Sequence, residues 1–391
     1  MLFAALPLRS QKLLALAVAV LALVATVVAI VLLRKSAADQ ALLKAAEARV
    51  QAAEGPRIPI IDVHVHLGAD GISNLNELME RYGFDHVVNL SGGTPGRGLE
   101  EQLARAQTLP GKITTFVSLD YNQALYPNYG VRMTASLRAA HRLGAKGLKI
   151  AKVLGLGLPK PAPGLLMPVD DPELDPVFDA AGELGMPVAI HSGDPRAFWE
   201  PVDDRNERVD ELRAHPGWAL YGQPVPSFDE ILDQLERRIA RHPKTTFISV
   251  HFGNCAEDPE RVARMLRAYP NLFIDTAARI PEMGRHNPEK MRQFFEEFQD
   301  RILFGSDLGV GAKGAPLFLG SQGSAPPTAA EEQLFFTATH RYFETADRNF
   351  AHPTPIQGNW KINAIDLPRP ILEKIYYRNA ARLLDIRGLS P

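Results

Sequence analysis

The 391 residues carry a formal net charge of −2 and no Lys/Arg run able to neutralise a row of phosphates, which argues against nucleic acid as a partner. That length suits one large barrel or two medium domains with an ample core. A single cysteine, Cys255, excludes an internal disulfide framework and leaves the compartment open.

A short tail, residues 1–12, precedes an uncharged apolar run from Leu13 to Leu33. At 1.5 Å per residue the run spans roughly 30 Å of hydrocarbon and reads as a single transmembrane anchor. A cleaved signal peptide has an apolar core of only about 7–15 residues, and Arg34 and Lys35 stand where its neutral cleavage region belongs. Cutting after Ala38 is the alternative. Arg34, Lys35, Lys44 and Arg49 outnumber Arg9 and Lys12, so the positive-inside count mildly favours a cytoplasmic domain. Long domains translocate largely regardless of charge, and the expectation adopted is an extracytoplasmic domain on a single-pass anchor. Residues 34–57, Ala-rich with mixed charges and closing at Gly55–Pro56, suit a helical stalk. The catalytic domain then occupies residues 58–391.

From Ile58 onward, short β-branched runs alternate with amphipathic stretches. The expected strands are Ile60–His66, His86–Leu90, Ile113–Asp120, Gly147–Lys152, Pro187–Ser192, Phe247–Gly253, Leu272–Thr276 and Ile302–Asp307. Helical patterns such as "NLNELMERYG", "MTASLRAAHRLG" and "FDEILDQLERRIARH" lie between them. Eight such alternations predict parallel strands closed into an α/β (β/α)8 TIM barrel. A doubly wound open sheet is the alternative, but no G-x-G-x-x-G follows the first strand. "SGGTPGRG", residues 91–98, is spaced wrongly for a nucleotide loop and is expected to be a mobile loop beside the active site.

The first strand ends in His64 and His66. Strict alternation sends Ile60, Asp62, His64 and His66 to one face, so two imidazoles converge about 7 Å apart along the backbone, within reach of one metal ion. A TIM barrel collects its catalytic groups at the C-terminal ends of its strands. By that criterion the fourth strand contributes Lys149, the fifth His191, the sixth His251 and the eighth Asp307. Lys152 has the opposite parity and is expected to face a helix or the rim.

As an ordered set, "DVHVH", "VAIHS", "VHFGN", "FGSD" and "IYYRNAARLLDI" resemble the amidohydrolase superfamily, in particular the amidohydrolase-related group that includes the amino-carboxymuconate-semialdehyde decarboxylases. The resemblance runs from Ile58 to Ile386. It implies a barrel holding one divalent metal, usually zinc and sometimes manganese, on residues matching His64, His66, His191 and Asp307. It also implies that the residue matching His251 lies near the metal-bound water or the substrate. Within the superfamily a lysine matching Lys149 can be carboxylated and bridge two metals, whereas the group resembled here usually holds one.

Imidazole nitrogens and a carboxylate oxygen suit a borderline cation such as zinc, with manganese as the alternative, and leave a position open for water. Zinc lowers the pKa of such a water to about 7. Asp307 and His251 are then the catalytic pair, the first accepting the water's proton and the second acting as general acid or base. Their plainer alternatives are a helix N-cap at Asp307 and a hydrogen-bonded histidine beside a Gly-Asn turn at His251. The long loops Val153–Asp171 and Gly193–Phe228 are expected to wall a small-molecule site. Arg279 is a candidate carboxylate clamp, with a surface ion pair as its alternative. The leading reading is a metal-dependent hydrolase of an amide, ester or lactone bond. A metal-dependent non-oxidative decarboxylase of a small unsaturated or aromatic acid is the runner-up, and a tethered binding protein without catalysis is the third.

Overall fold

Short apolar runs become the strands of a curled, mostly parallel sheet in the computed structural model, which describes residues 56–390 except 69, 163, 316 and 322–324. The expected anchor at 13–33 and stalk residues 34–55 lie outside the described residues. Among the described residues no helix is long and apolar enough to cross a membrane.

The strands are β1 (Ile61–Leu67), β2 (His86–Asn89), β3 (Ile113–Ser118), β4 (Gly147–Ile150), β5 (Val188–Ile190), β6 (Phe247–Ser249), β7 (Leu272–Asp275) and β8 (Ile302–Leu303), each parallel to the next where they pair in sequence from β1 to β8. The crossovers carry α1 (Ile72–Tyr82), α2 (Leu99–Ala106), α3 (Tyr129–Leu143), α4 (Asp175–Glu183), α5 (Phe228–Arg241), α6 (Pro259–Ala268) and α7 (Pro288–Glu297). Helix α5 shows why such segments fold onto the sheet. Ser227 accepts a hydrogen bond from the Glu230 N–H as its N-cap, and Ile231, Leu232, Leu235 and Ile239 form the buried stripe.

The last strand departs from the expectation. It breaks after Leu303, turns through Asp307 at φ 65°, and resumes as β9 (Leu308–Val310), which pairs in parallel with β1. Val63 N–H donates to Phe304 O and Asp307 N–H to His64 O, both at 2.9 Å, so residues 302–310 join β7 to β1 and the sheet meets itself in a TIM-like α/β fold. Strand β10 (Phe318–Leu319), antiparallel to β9, and helix α8 (Ala329–Glu344) were not expected from the sequence.

Inside the sheet, Ile61, Val63, Val88, Phe116, Ala189, Ile248 and Leu303 form one buried cluster, while Val65, Leu67, Val87, Leu148 and Val188 pack in the outer core with the helices. Gly147 has to be glycine for this interior: a Cβ there would lie 2.3 Å from the Phe116 ring. The clusters also correct the strict alternation expected for β1. Ile61 and Val63 occupy the interior, and a register irregularity between Asp62 and Val65 precedes the two histidines. One irregular step moves side chains between faces because the strand period is two.

Candidate metal centre

Beyond the C-terminal ends of the strands lies a cavity of about 380 Å³, lined among others by His66, Lys149, His191, His251, Arg279 and Asp307. Six of the seven residues singled out from the sequence therefore face one space. The seventh, His64, is fully buried beneath it.

Strand β1 and the turn after β8 bring the core of the centre together. Asp307 Oδ1 lies 3.3 Å from His64 Nε2 and 3.4 Å from His66 Nε2. Asp62, also fully buried, locks this turn: one carboxylate oxygen accepts the N–H groups of His64 and Ser306 at 3.0 Å, and the other the Ser306 hydroxyl at 2.5 Å. Because β9 follows Asp307, the alternative of a helix N-cap fails.

Hydrogen-bond partners assign the imidazole tautomers. His64 Nδ1 lies 2.8 Å from Asp275 Oδ2, an acceptor, so Nδ1 carries the proton and Nε2 presents a lone pair. His251 Nδ1 donates to Ala277 O at 3.0 Å, leaving its Nε2 free. His191 Nε2 donates to Gly193 O at 2.9 Å and lies 3.6 Å from Asp194, leaving Nδ1 free. His66 Nδ1 shares a 2.7 Å bond with the Ser91 hydroxyl. Burial pushes the His191 pKa down to about 4 and that of His251 well below the usual histidine range, so both rings are neutral near pH 7.

These tautomers test whether the residues fit a metal. With the His64 proton on Nδ1, the Nε2 lone pair faces a carboxylate oxygen of Asp307 at 3.3 Å. Such a pair repels unless a cation joins it, and two imidazole nitrogens with one carboxylate oxygen are donors that zinc and manganese accept. His64, His66 and Asp307 offer ligand atoms all within 4.8 Å of one another. His191 stands beside this trio rather than in it, its ring 4.4 Å from that of His251. Lys149 Nζ lies 3.5 Å from His64 Nε2, and burial lowers its pKa to about 8.

The remaining expectations divide. Strand β6 stops at Ser249, and His251 sits in a left-handed turn, φ 55° and ψ 48°, instead of on the strand. Arg279 is 7% exposed; its guanidinium donates to Ala278 O at 2.9 Å and forms no ion pair among the described residues, so the surface-pair alternative fails. Lys152 lies past the end of β4, where strand parity no longer applies, and lines the cavity in an ion pair with Asp194 at 2.8 Å. Loop 193–228 supplies Asp194, Pro195, Phe198, Glu211 and Trp218 to the lining. Among the described residues loop 153–171 adds nothing to the lining, contrary to expectation, whereas residues 91–98 touch the centre through Ser91, which hydrogen-bonds His66, without lining the cavity.

Sequence reasoning missed Asp275, Asp62 and Asp194. Asp275 closes β7 in "LFIDT" and satisfies the same strand-end criterion that selected the histidines, so it was findable. Strand alternation places Asp62 on the face of His64 and His66 but gives it no role, and Asp194 announces itself only through burial.

The sequence matches a family described as "Amidohydrolase" over residues 126–386, a stretch that includes Lys149, His191, His251, Arg279 and Asp307 and begins after His64 and His66. No curated protein matches the chain. Among solved structures it is similar to an uncharacterised TIM-barrel protein from Bordetella bronchiseptica, at 16% identity over 84% of this chain and 99% of that one, with a TM-score of 0.50. A dihydroxybenzoic acid decarboxylase from Polaromonas sp. JS666 with bound manganese and the inhibitor 2-nitroresorcinol shows 13% identity, 85% and 98% coverage and a TM-score of 0.46. A dihydroorotase from Campylobacter jejuni shows 15% identity, 85% coverage of each chain and a TM-score of 0.46. The first of these supports the TIM-like fold.

Proposed function

Because the chain belongs to the amidohydrolase family, we propose that it is a metal-dependent hydrolase that cleaves an amide, ester or lactone bond in a small molecule bearing a carboxylate. The observation that carries this reading is the approach of His64 Nε2 to Asp307 Oδ1 at 3.3 Å while His64 Nδ1 is engaged by Asp275 at 2.8 Å. His64, His66 and Asp307 would hold one divalent ion, zinc or manganese, with His191 as the adjoining fourth donor. Such an ion supplies Lewis acidity toward the scissile carbonyl and acidifies water.

The chain's own groups supply the rest. Asp307 is the base that takes a proton from the attacking water. His251, neutral with Nε2 free in the cavity wall, moves a proton to or from the reacting oxygen. Arg279, buried at the cavity without a carboxylate partner among the described residues, offers its fork to an acid group of the substrate. Phe198, Trp218 and Phe318 give the lining an apolar, aromatic part that excludes water around the substrate body.

The second reading, non-oxidative decarboxylation, draws on the same Arg279, which would orient a departing carboxylate. Labelled water on the first active substrate separates them. Hydrolysis puts solvent ¹⁸O into the new acid; deuterium on a product carbon with released CO₂ and no ¹⁸O-labelled acid replaces hydrolysis by decarboxylation.

A further inference from the structure

We infer that Asp275 is a positioning residue that fixes the tautomer of His64 and the backbone turn of His251 together, so that one carboxylate sets the metal-binding and the proton-transfer sides of the centre. Asp275 is fully buried at the end of β7, and both its oxygens are engaged. Oδ2 meets His64 Nδ1 at 2.8 Å. Oδ1 accepts the His251 N–H at 2.8 Å and the Ala277 N–H at 3.1 Å.

The first contact decides what His64 can do. A carboxylate only accepts, and Asp275 at 2.8 Å lies nearer its nitrogen than Asp307 does at 3.3 Å, so the His64 proton stays on Nδ1 and the lone pair of Nε2 turns toward Asp307. A second neighbour agrees: the Lys149 ammonium, a donor with no acceptor capacity, stands 3.5 Å from that same Nε2. With the opposite tautomer, Nε2–H would close the ligand position and set a donor against Lys149. Asp275 is not itself a ligand to the trio, because it lies on the Nδ1 side of the ring.

The second contact concerns shape. His251 and Phe252 are consecutive non-glycine residues in the left-handed region, φ 55° and 56°, a conformation that persists only when neighbours hold it. Oδ1 holds it at the N–H that opens the turn. Ala277 O then receives His251 Nδ1, and the N–H of Ala277 returns to the same Oδ1, so the ring and its backbone are tied to one carboxylate.

The His64 half rests on the proposed metal site, and the experiment keeps the two separable. Full-length metal-free protein labelled with [¹⁵N]histidine reports the His64 tautomer directly, and competition with a chromogenic chelator reports zinc affinity. Asn at position 275 keeps an acceptor for His251 and Ala277 but turns an N–H₂ donor toward His64. Asp275→Asn is therefore expected to move the His64 proton to Nε2 and weaken zinc binding about 10–100-fold, with no further loss when added to His64→Gln. A purely structural Asp275 gives losses that add. Zinc affinity unchanged in Asp275→Asn, additive losses, or an Nε2–H tautomer in the wild type overturns the assignment to His64, and the wild-type spectrum decides even if the variant does not fold. A wild-type protein that binds no zinc yet shows the Nδ1–H tautomer removes the metal reading while leaving the positioning intact. The His251 half is read from amide exchange at His251. It is expected to stay slow in Asp275→Asn and to rise at least tenfold in Asp275→Ala; equal exchange in the two variants overturns it.

Discussion

His64 Nε2 and Asp307 Oδ1 lie 3.3 Å apart, brought together from the first strand and the turn that follows the eighth. Two electron-rich atoms held that close ask for a cation. The purified protein is expected to contain close to one zinc or manganese per chain, and His64→Ala or Asp307→Ala to remove most of it. Elemental analysis reads the result, and unchanged metal in both variants discards the site. Two metals per chain with a dependence on bicarbonate would instead make Lys149 a carboxylated bridge.

His251 keeps its free Nε2 in the cavity wall and lies outside the His64–His66–Asp307 trio, although it converges with His64 and Asp275 in a second group. His251→Asn is expected to lower kcat by about 10²–10⁴ while metal content stays at the wild-type level. Loss of metal in step with activity would move His251 from proton transfer to ligation.

Arg279 is buried at the cavity with only Ala278 O as its hydrogen-bond partner among the described residues. A charged hydrogen bond is worth about 1.5–3 kcal/mol, so Arg279→Gln should lower kcat/KM for a carboxylate-bearing substrate roughly 10–100-fold. The neutral methyl ester of that carboxylate should respond little. Equal losses on acid and ester would show that Arg279 holds the fold and not the substrate.

Away from the centre, His352 donates from Nε2 to Gly358 O at 2.8 Å and accepts the Thr354 N–H at Nδ1, so a second proton would meet a donor. Burial, opposed by the bond to Gly358, brings its pKa to about 4. The unfolded chain, near 6.5, binds the proton first. This contribution is therefore complete above about pH 6.5, falls as the pH drops toward 4 and is level below that, amounting to about 3 kcal/mol in full. Urea midpoints at pH 7.5 and 5 should differ less in His352→Gln than in the wild type; identical differences would remove His352 as a source of acid sensitivity.

Residues 13–33 form the apolar, uncharged run proposed as an anchor. Full-length protein is expected to sediment with membranes, and a truncated protein beginning at Ile58 to remain in the supernatant. Mature protein that starts near Asp39 would show cleavage in place of anchoring.

The sequence by itself determined the order of the first eight strands, the helical stretches between them and the strand ends at which chemistry collects. Hydrophobic period and strand-end position are local properties, so His64, His66, Lys149, His191 and Asp307 could be picked out without coordinates. What the residues touch is not local. The irregular step in β1, the broken eighth strand that carries Asp307 at positive φ, and the left-handed turn under His251 each depend on packing between segments far apart in the chain. Asp275 lies 211 positions from His64, and only the curling of the sheet sets its carboxylate against that ring. The tertiary structure alone decided which nitrogen of each histidine is free, because a tautomer is fixed by the partner across the bond, and that partner comes from another strand or turn.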